Sequence, residues 1–214
     1  MDIKELEYYT IGDSFGGNQD WMHDWWMRIG GCAALTAVDS LICIERTFGI
    51  EGLCAVDPWS LTKDTYRDFG MIMKPYISPR FRGVDKLSIF VKGLGKYLAE
   101  RSVKSILMEE LSMSEDYSTA CEALTSQLDM NIPVPFLNLR HQDKEFKEFI
   151  WHWFILSGYK WEDGELYAKF TTYGGYEWHS FRKLWNSGCD EKGGMIIINL
   201  DEFVKIHKSI QINC

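Results

Sequence analysis

The sequence predicts an α+β fold: a helical lobe over residues 1–130, then an antiparallel sheet lobe over 131–214. Three observations carry this. Apolar residues recur at helical spacing from Cys32 to Phe48 and again from Leu87 to Leu98. After Asn131 the apolar segments become short and are bounded by Pro or Gly, as strands are. The two kinds of segment run one after the other rather than alternating, which separates α+β from βαβ architectures. At 214 residues the chain can bury one sizeable core without disulfide staples.

Taken in order, the first 31 residues hold much Gly, Asn, Asp and Trp with no clear period and read mostly as loop. In "CAALTAVDSLICIERTFG", Leu35, Val38, Leu41, Ile42 and Ile44 share a helix face, Ala33, Ala34 and Ala37 permit close packing, and Gly49 is a C-terminal stop. "DPWSLTKDTYRDFG" places Pro58 near a helix start and Gly70 after its end. "GVDKLSIFVKGLGKYLAERS" is helical despite Gly93 and Gly95. "SEDYSTACEALTSQLDMN" is a helix opened by Ser114. Then "IPVPFLNLR", "FKEFIWHWFILSGYK", "GELYAKFTTYGG" and "GGMIIINL" are four strands, the second and third joined by a hairpin at "KWEDGE". "HSFRKLW" reads as one or two helical turns and "DEFVKIHKS" as a short helix capped by Asp201.

Composition excludes several functions. The formal net charge is −8, which argues against nucleic acid or an anionic membrane as partner. The six cysteines form no CxxC pair, so no structural zinc is expected, and the bland reading is free thiols in a reducing compartment. "MDIKELEYYT" is no signal peptide, and no apolar run reaches the ~18 residues of a membrane span. A cytoplasmic protein is the expectation. "GDSFGGNQ" lacks the lysine of a phosphate loop.

The chemistry gathers at "RIGGCAALTAVD". A cysteine opening a helix meets the positive end of the macrodipole and unpaired N–H groups, and both favour a thiolate. Glycines 30 and 31 let the backbone turn sharply there. A thiolate needs a base. His152, inside "FIWHWFIL", shares strand parity with Ile150, Phe154 and Leu156, where an ionisable group is costly without a partner. Cys32 and His152 therefore read as a nucleophile–base pair, each with a plain alternative as a packed core residue. His23, beside Asp24, reads as a solvated loop residue, and His179 as a residue of the cleft rim. Tryptophans 21, 25, 26, 151, 153 and 178 suit either an aromatic groove or the core.

These segments resemble the papain-like cysteine peptidases, most of all compact bacterial members such as the bacteriocin-processing double-glycine peptidases. "GGCAALTA" is similar to their nucleophile segment, "HWFILSGY" to their histidine strand, and "KFTTYGGYEW" to the strand after it. The resemblance covers about residues 16–45 and 130–178; residues 50–130 match nothing in it. The 120 residues between Cys32 and His152 fall short of the family's roughly 130–150. The resemblance implies a papain-like fold and a hydrolase or acyltransferase acting on a peptide or amide substrate. It implies no metal or cofactor. It also implies an oxyanion-hole glutamine about six residues before the cysteine, where this chain has Trp26. Gln19, 13 residues ahead, or Asn18 is the substitute. The Asn or Asp that orients the family's histidine is replaced by Thr171 or Thr172, with Asp163, Glu165 and Asn186 as alternatives from elsewhere. That replacement favours a rival expectation: the same architecture kept as a binding or scaffold module without turnover.

Overall fold

The computed structural model describes residues 2–200, and its order of elements is α+β. The segment read as loop is partly ordered: β1 (Asp2–Glu5), a small hairpin of β2 (Thr10–Ile11) and β3 (Ser14–Phe15), a 3-10 turn over Gln19–Trp21, and α1 (Trp25–Gly30). Helix α1 was invisible to periodicity because six residues hold under two turns, of which only Met27 is buried. Helix α2 (Cys32–Phe48) starts and stops where its sequence indicates. It ends at Gly49, whose φ of +65° is the left-handed cap that residues with a Cβ resist.

Helix α3 (Lys63–Met73) departs from the expectation at both ends. Thr62, not a residue near Pro58, caps it through a reciprocal box with Thr65. Gly70 lies inside the helix rather than after it. A Cβ there would stand 2.9 Å from Leu35 Cδ2 and 3.1 Å from a Met22 methyl, so the glycine buys close packing of α3 on α2. Helix α4 (Leu87–Glu100) tolerates Gly93 for a similar reason, since a Cβ would meet the Tyr76 carbonyl at 2.4 Å. Next come β4 (Ile106–Ser112), unseen in the sequence, and α5 (Tyr117–Asp129), capped by Asp116 rather than Ser114.

Strand β5 (Val134–Asn138) leads through a 3-10 turn at Lys144–Phe149 to β6 (His152–Glu162). The apolar run before His152 therefore belongs to the turn and not to the strand. β7 (Glu165–Thr172) follows the Asp163–Gly164 hairpin, and β8 (Gly175–Ser180) follows a second hairpin at Tyr173–Gly174. α6 (Phe181–Trp185) and β9 (Gly194–Leu200) complete the described residues; the short helix expected at Asp201 lies outside them.

The sheet is antiparallel, in order β4-β9-β5-β6-β7-β8, and β1 adds to β6. Strands β1 and β4 come from the first 130 residues, so the division into a helical and a sheet lobe holds only in outline. Alternate residues of the central strands face opposite layers. Leu137, Trp153 and Ile196 join the core under α2, α3 and α4, while Phe136, Phe154 and Met195 join that under α5 and α6. Trp153 stacks on Phe90 at 4.7 Å and its indole N–H donates to the Val84 carbonyl at 2.7 Å. That pins the Val84 loop to the middle of the sheet. Among the described residues no helix is long and apolar enough to cross a membrane.

Candidate active site

Helices α1 and α2 meet at Gly31. Its N–H bonds the Met27 carbonyl at 3.0 Å, and a Cβ there would collide with that oxygen at 2.4 Å. Only glycine fits the junction, and the junction sets Cys32 at the first position of α2. The backbone N–H groups of Trp153 and Ala33, and its own, face the sulfur. These favour the thiolate, but burial outweighs them and pushes the Cys32 thiol above its ordinary value. The net direction is thus opposite to what a helix start alone predicts.

A cavity of about 620 Å³ opens beside the sulfur. Gln19, Cys32, His152 and Tyr173 line both it and a narrow extension that reaches Thr172 and Asp39. Of the four described histidines only His152 lies there. His23 is exposed, His141 bonds the Lys183 carbonyl, and His179 bridges Glu145 and Glu177. Of the six tryptophans singled out from the chain's nine, Trp25, Trp26 and Trp151 line the cavity.

His152 keeps the parity expected of it, in register with Asn138 as Phe154 is with Phe136. As the first residue of β6 it reaches the open end of the sheet. Its Nε2 lies 2.8 Å from Thr172 Oγ1. Thr171 is not the partner, because its hydroxyl is paired with Ser157 at 2.6 Å. Glu165 accepts from Ser180, and Asp163 sits in the turn at the far end of the hairpin. Burial drives the His152 imidazole down to about 4, with no carboxylate among the causes. Neutral imidazole and neutral thiol are therefore the resting forms at pH 7.

Gln19 reaches the cleft beside the tryptophan-rich segment that folds as α1. Its Nε2 donates to the Arg28 carbonyl at 2.9 Å, which ties the 3-10 turn to that helix and leaves the second amide hydrogen uncommitted. Asn18 is engaged elsewhere. Its Nδ2 donates to the Tyr173 carbonyl at 2.8 Å, and its Oδ1 caps the turn.

Three features were missed from the sequence. Tyr173 lies flat on the His152 ring, 4.7 Å between centroids at 3°, with its hydroxyl 3.5 Å from Nδ1. In so parallel a stack that hydroxyl lies off the imidazole plane, where Nδ1 has no lone pair, so Nδ1 stays open to a reacting group. Asn138, cross-strand from His152, donates to the Phe149 carbonyl at 3.0 Å while its Oδ1 is buried without a partner. It was overlooked as one polar residue in an apolar strand. Asp39, two turns below Cys32, accepts from Tyr9 at 2.6 Å and Tyr66 at 2.8 Å, with Tyr8 at 3.5 Å. A buried acid inside an alanine-rich helix was the available signal. Its burial outweighs those bonds and raises it to about 6.

No protein-family model matches the chain, and no curated protein matches it in sequence. What fold and site define is a class: an α+β protein with a buried cysteine, histidine and glutamine around one cleft.

Proposed function

We propose that the protein is a papain-like cysteine hydrolase or acyltransferase acting on a peptide or amide bond. The observation that supports the reading is the convergence of Cys32, His152 and Gln19 on one cavity from three separate stretches of chain. In this reading Cys32 Sγ attacks the carbonyl carbon. Its proton passes to His152 Nδ1, and the new oxyanion takes hydrogen bonds from the Cys32 N–H and the free Gln19 amide hydrogen. The C–N bond then breaks, and the amine leaves with the proton from His152. Water, or an acceptor amine, gives its proton to His152 and attacks the thioester; the C–S bond breaks, the acyl group leaves as the acid or the new amide, and His152 returns the proton to Sγ. In this reading Nε2–H donates to Thr172 Oγ1 through both halves, which leaves Nδ1 as the basic nitrogen. A hydroxyl stabilises imidazolium less than a carboxylate does, so a neutral pair that transfers its proton during attack replaces a standing ion pair.

A second reading has its own support. Burial pushes the thiol up and the imidazole down, as it would in a cleft kept for recognition alone. Iodoacetamide labelling from pH 4 to 9, read by peptide mass spectrometry, separates the two. The hydrolase reading expects Cys32 to label well ahead of Cys43, Cys54 and Cys121 near pH 7. It expects a drop of about tenfold or more in His152→Ala. Uniform slow labelling, indifferent to His152, leaves only the recognition reading.

A further inference from the structure

The mouth of the cleft is unusual for this chain. Phe81 is 95% exposed, Trp25 63% and Ile29 55%, and all three line the cavity beside Cys32. Arg80 and Arg82 flank Phe81 on the same wall, and neither has an ion-pair partner among the described residues. Two unpaired guanidinium groups beside the cavity of a chain of net charge −8 make a local positive field against the overall sign. Glu148 is the acid on the cavity wall, and it arrives from the turn before β6, near Tyr173. The cavity is thus positive at the Arg80 loop and negative at the histidine end. Its volume of about 620 Å³ suits a ligand of drug size rather than a folded protein.

We propose that the cleft binds a short peptide or N-acyl amino acid with a bulky apolar side chain and a free carboxylate. The side chain rests on Trp25, Ile29 and Phe81, and the carboxylate pairs with Arg80 and Arg82. Guanidinium groups suit this, since each can grip a carboxylate through two parallel N–H bonds. The inference rests on reading the Cys32 cleft as the substrate site, and it does not need turnover.

The test uses the full chain carrying Cys32→Ala, so that nothing reacts. Intrinsic tryptophan fluorescence, which Trp25 and Trp26 report from the cavity wall, follows titration with N-acetylphenylalanine and with N-acetylphenylalaninamide. The acid is expected to bind about fivefold tighter or better. Adding Arg80→Gln and Arg82→Gln together should bring the two ligands within about twofold, as should high salt. These residues are exposed, so the variant is expected to fold. Equal binding of acid and amide, tighter binding of the amide, or no saturable binding of either overturns the proposal. Iodoacetamide labelling of the wild type, run beside it, separates the two ideas. Selective labelling without acid preference removes the carboxylate subsite and keeps the hydrolase reading. Acid preference with ordinary labelling keeps the subsite and removes turnover.

Discussion

The neutral resting state of the site has a measurable consequence in stability against pH. His152 is held near 4 against an ordinary 6.5, so between these values the unfolded chain binds the proton and the folded chain does not. Stability from this group is therefore full at pH 7 and is lost as pH falls through 6.5 toward 4. The two values give a loss of about 2 kcal/mol between pH 7 and pH 5. Asp39 works the other way. It is held near 6 against 3.8, so the folded chain binds the extra proton and stability is regained as pH falls through 6, by about 1 kcal/mol over the same span. The wild type should therefore show only a shallow net slope from the pair. The variants His152→Gln and Asp39→Asn expose each term, measured by urea unfolding at pH 7, 6 and 5. Relative to wild type, His152→Gln should gain about 2 kcal/mol from pH 7 to 5, and Asp39→Asn should lose about 1. A flat His152→Gln difference would refute the neutral imidazole. A difference of opposite sign would mean that His152 is protonated against a thiolate, since an ion pair raises rather than lowers the imidazole.

Three further outcomes follow from the same geometry. Thr172→Val strips Nε2 of its partner and should cost about 1–3 kcal/mol by denaturant unfolding, while slowing Cys32 alkylation. Tyr173→Asn replaces an aromatic at φ +51° with a residue that suits that conformation, so stability should change by under about 1 kcal/mol as strain relief offsets lost stacking. The same change uncovers His152, and its NMR titration midpoint should rise from about 4 toward 6.5. Gly31→Ala drives a methyl into the Met27 carbonyl and should destabilise by about 2 kcal/mol or more, with loss of selective Cys32 labelling.

Helix α2 was legible in full because three signals agree there: a helical period, alanines that permit close approach, and a terminal glycine. Cys32, His152, Gln19 and Thr172 were each legible by residue type. Periodicity says nothing of how far apart they lie, and the cavity that joins them depends on α1. That helix is short, and its two tryptophans face solvent, so no apolar period marks it. The direction of the Cys32 shift was misread for a physical reason. A helix start is visible in sequence, whereas the depth of burial that opposes it comes from the sheet. β4 and β8 escaped because one is a mostly unburied edge strand interrupted by two adjacent glutamates and the other follows a turn with an aromatic in the place where Asn, Asp or Gly is usual.

That turn bears on why the cleft exists. Two hairpins flank β7, and both put a non-glycine residue at positive φ before a glycine: Asp163 at +50° and Tyr173 at +51°. Asp suits the conformation; tyrosine strains it, at about 1–3 kcal/mol. Trp151, immediately before His152, is likewise at +55°, while the remaining cases are Ser102 and Asn131. The two aromatic cases are thus the two that border His152. Buried polar atoms without partners follow the same pattern. Among the described residues there are three, and two of them, Gln19 Oε1 and Asn138 Oδ1, sit on the cleft wall or across the sheet from His152. Each costs about 1–3 kcal/mol. Strain and unmet hydrogen bonds gathered around one imidazole persist only where the surroundings hold them. Under the proposed function they belong to a substrate site, and the pH difference curve of His152 reads whether its imidazole rests neutral or charged.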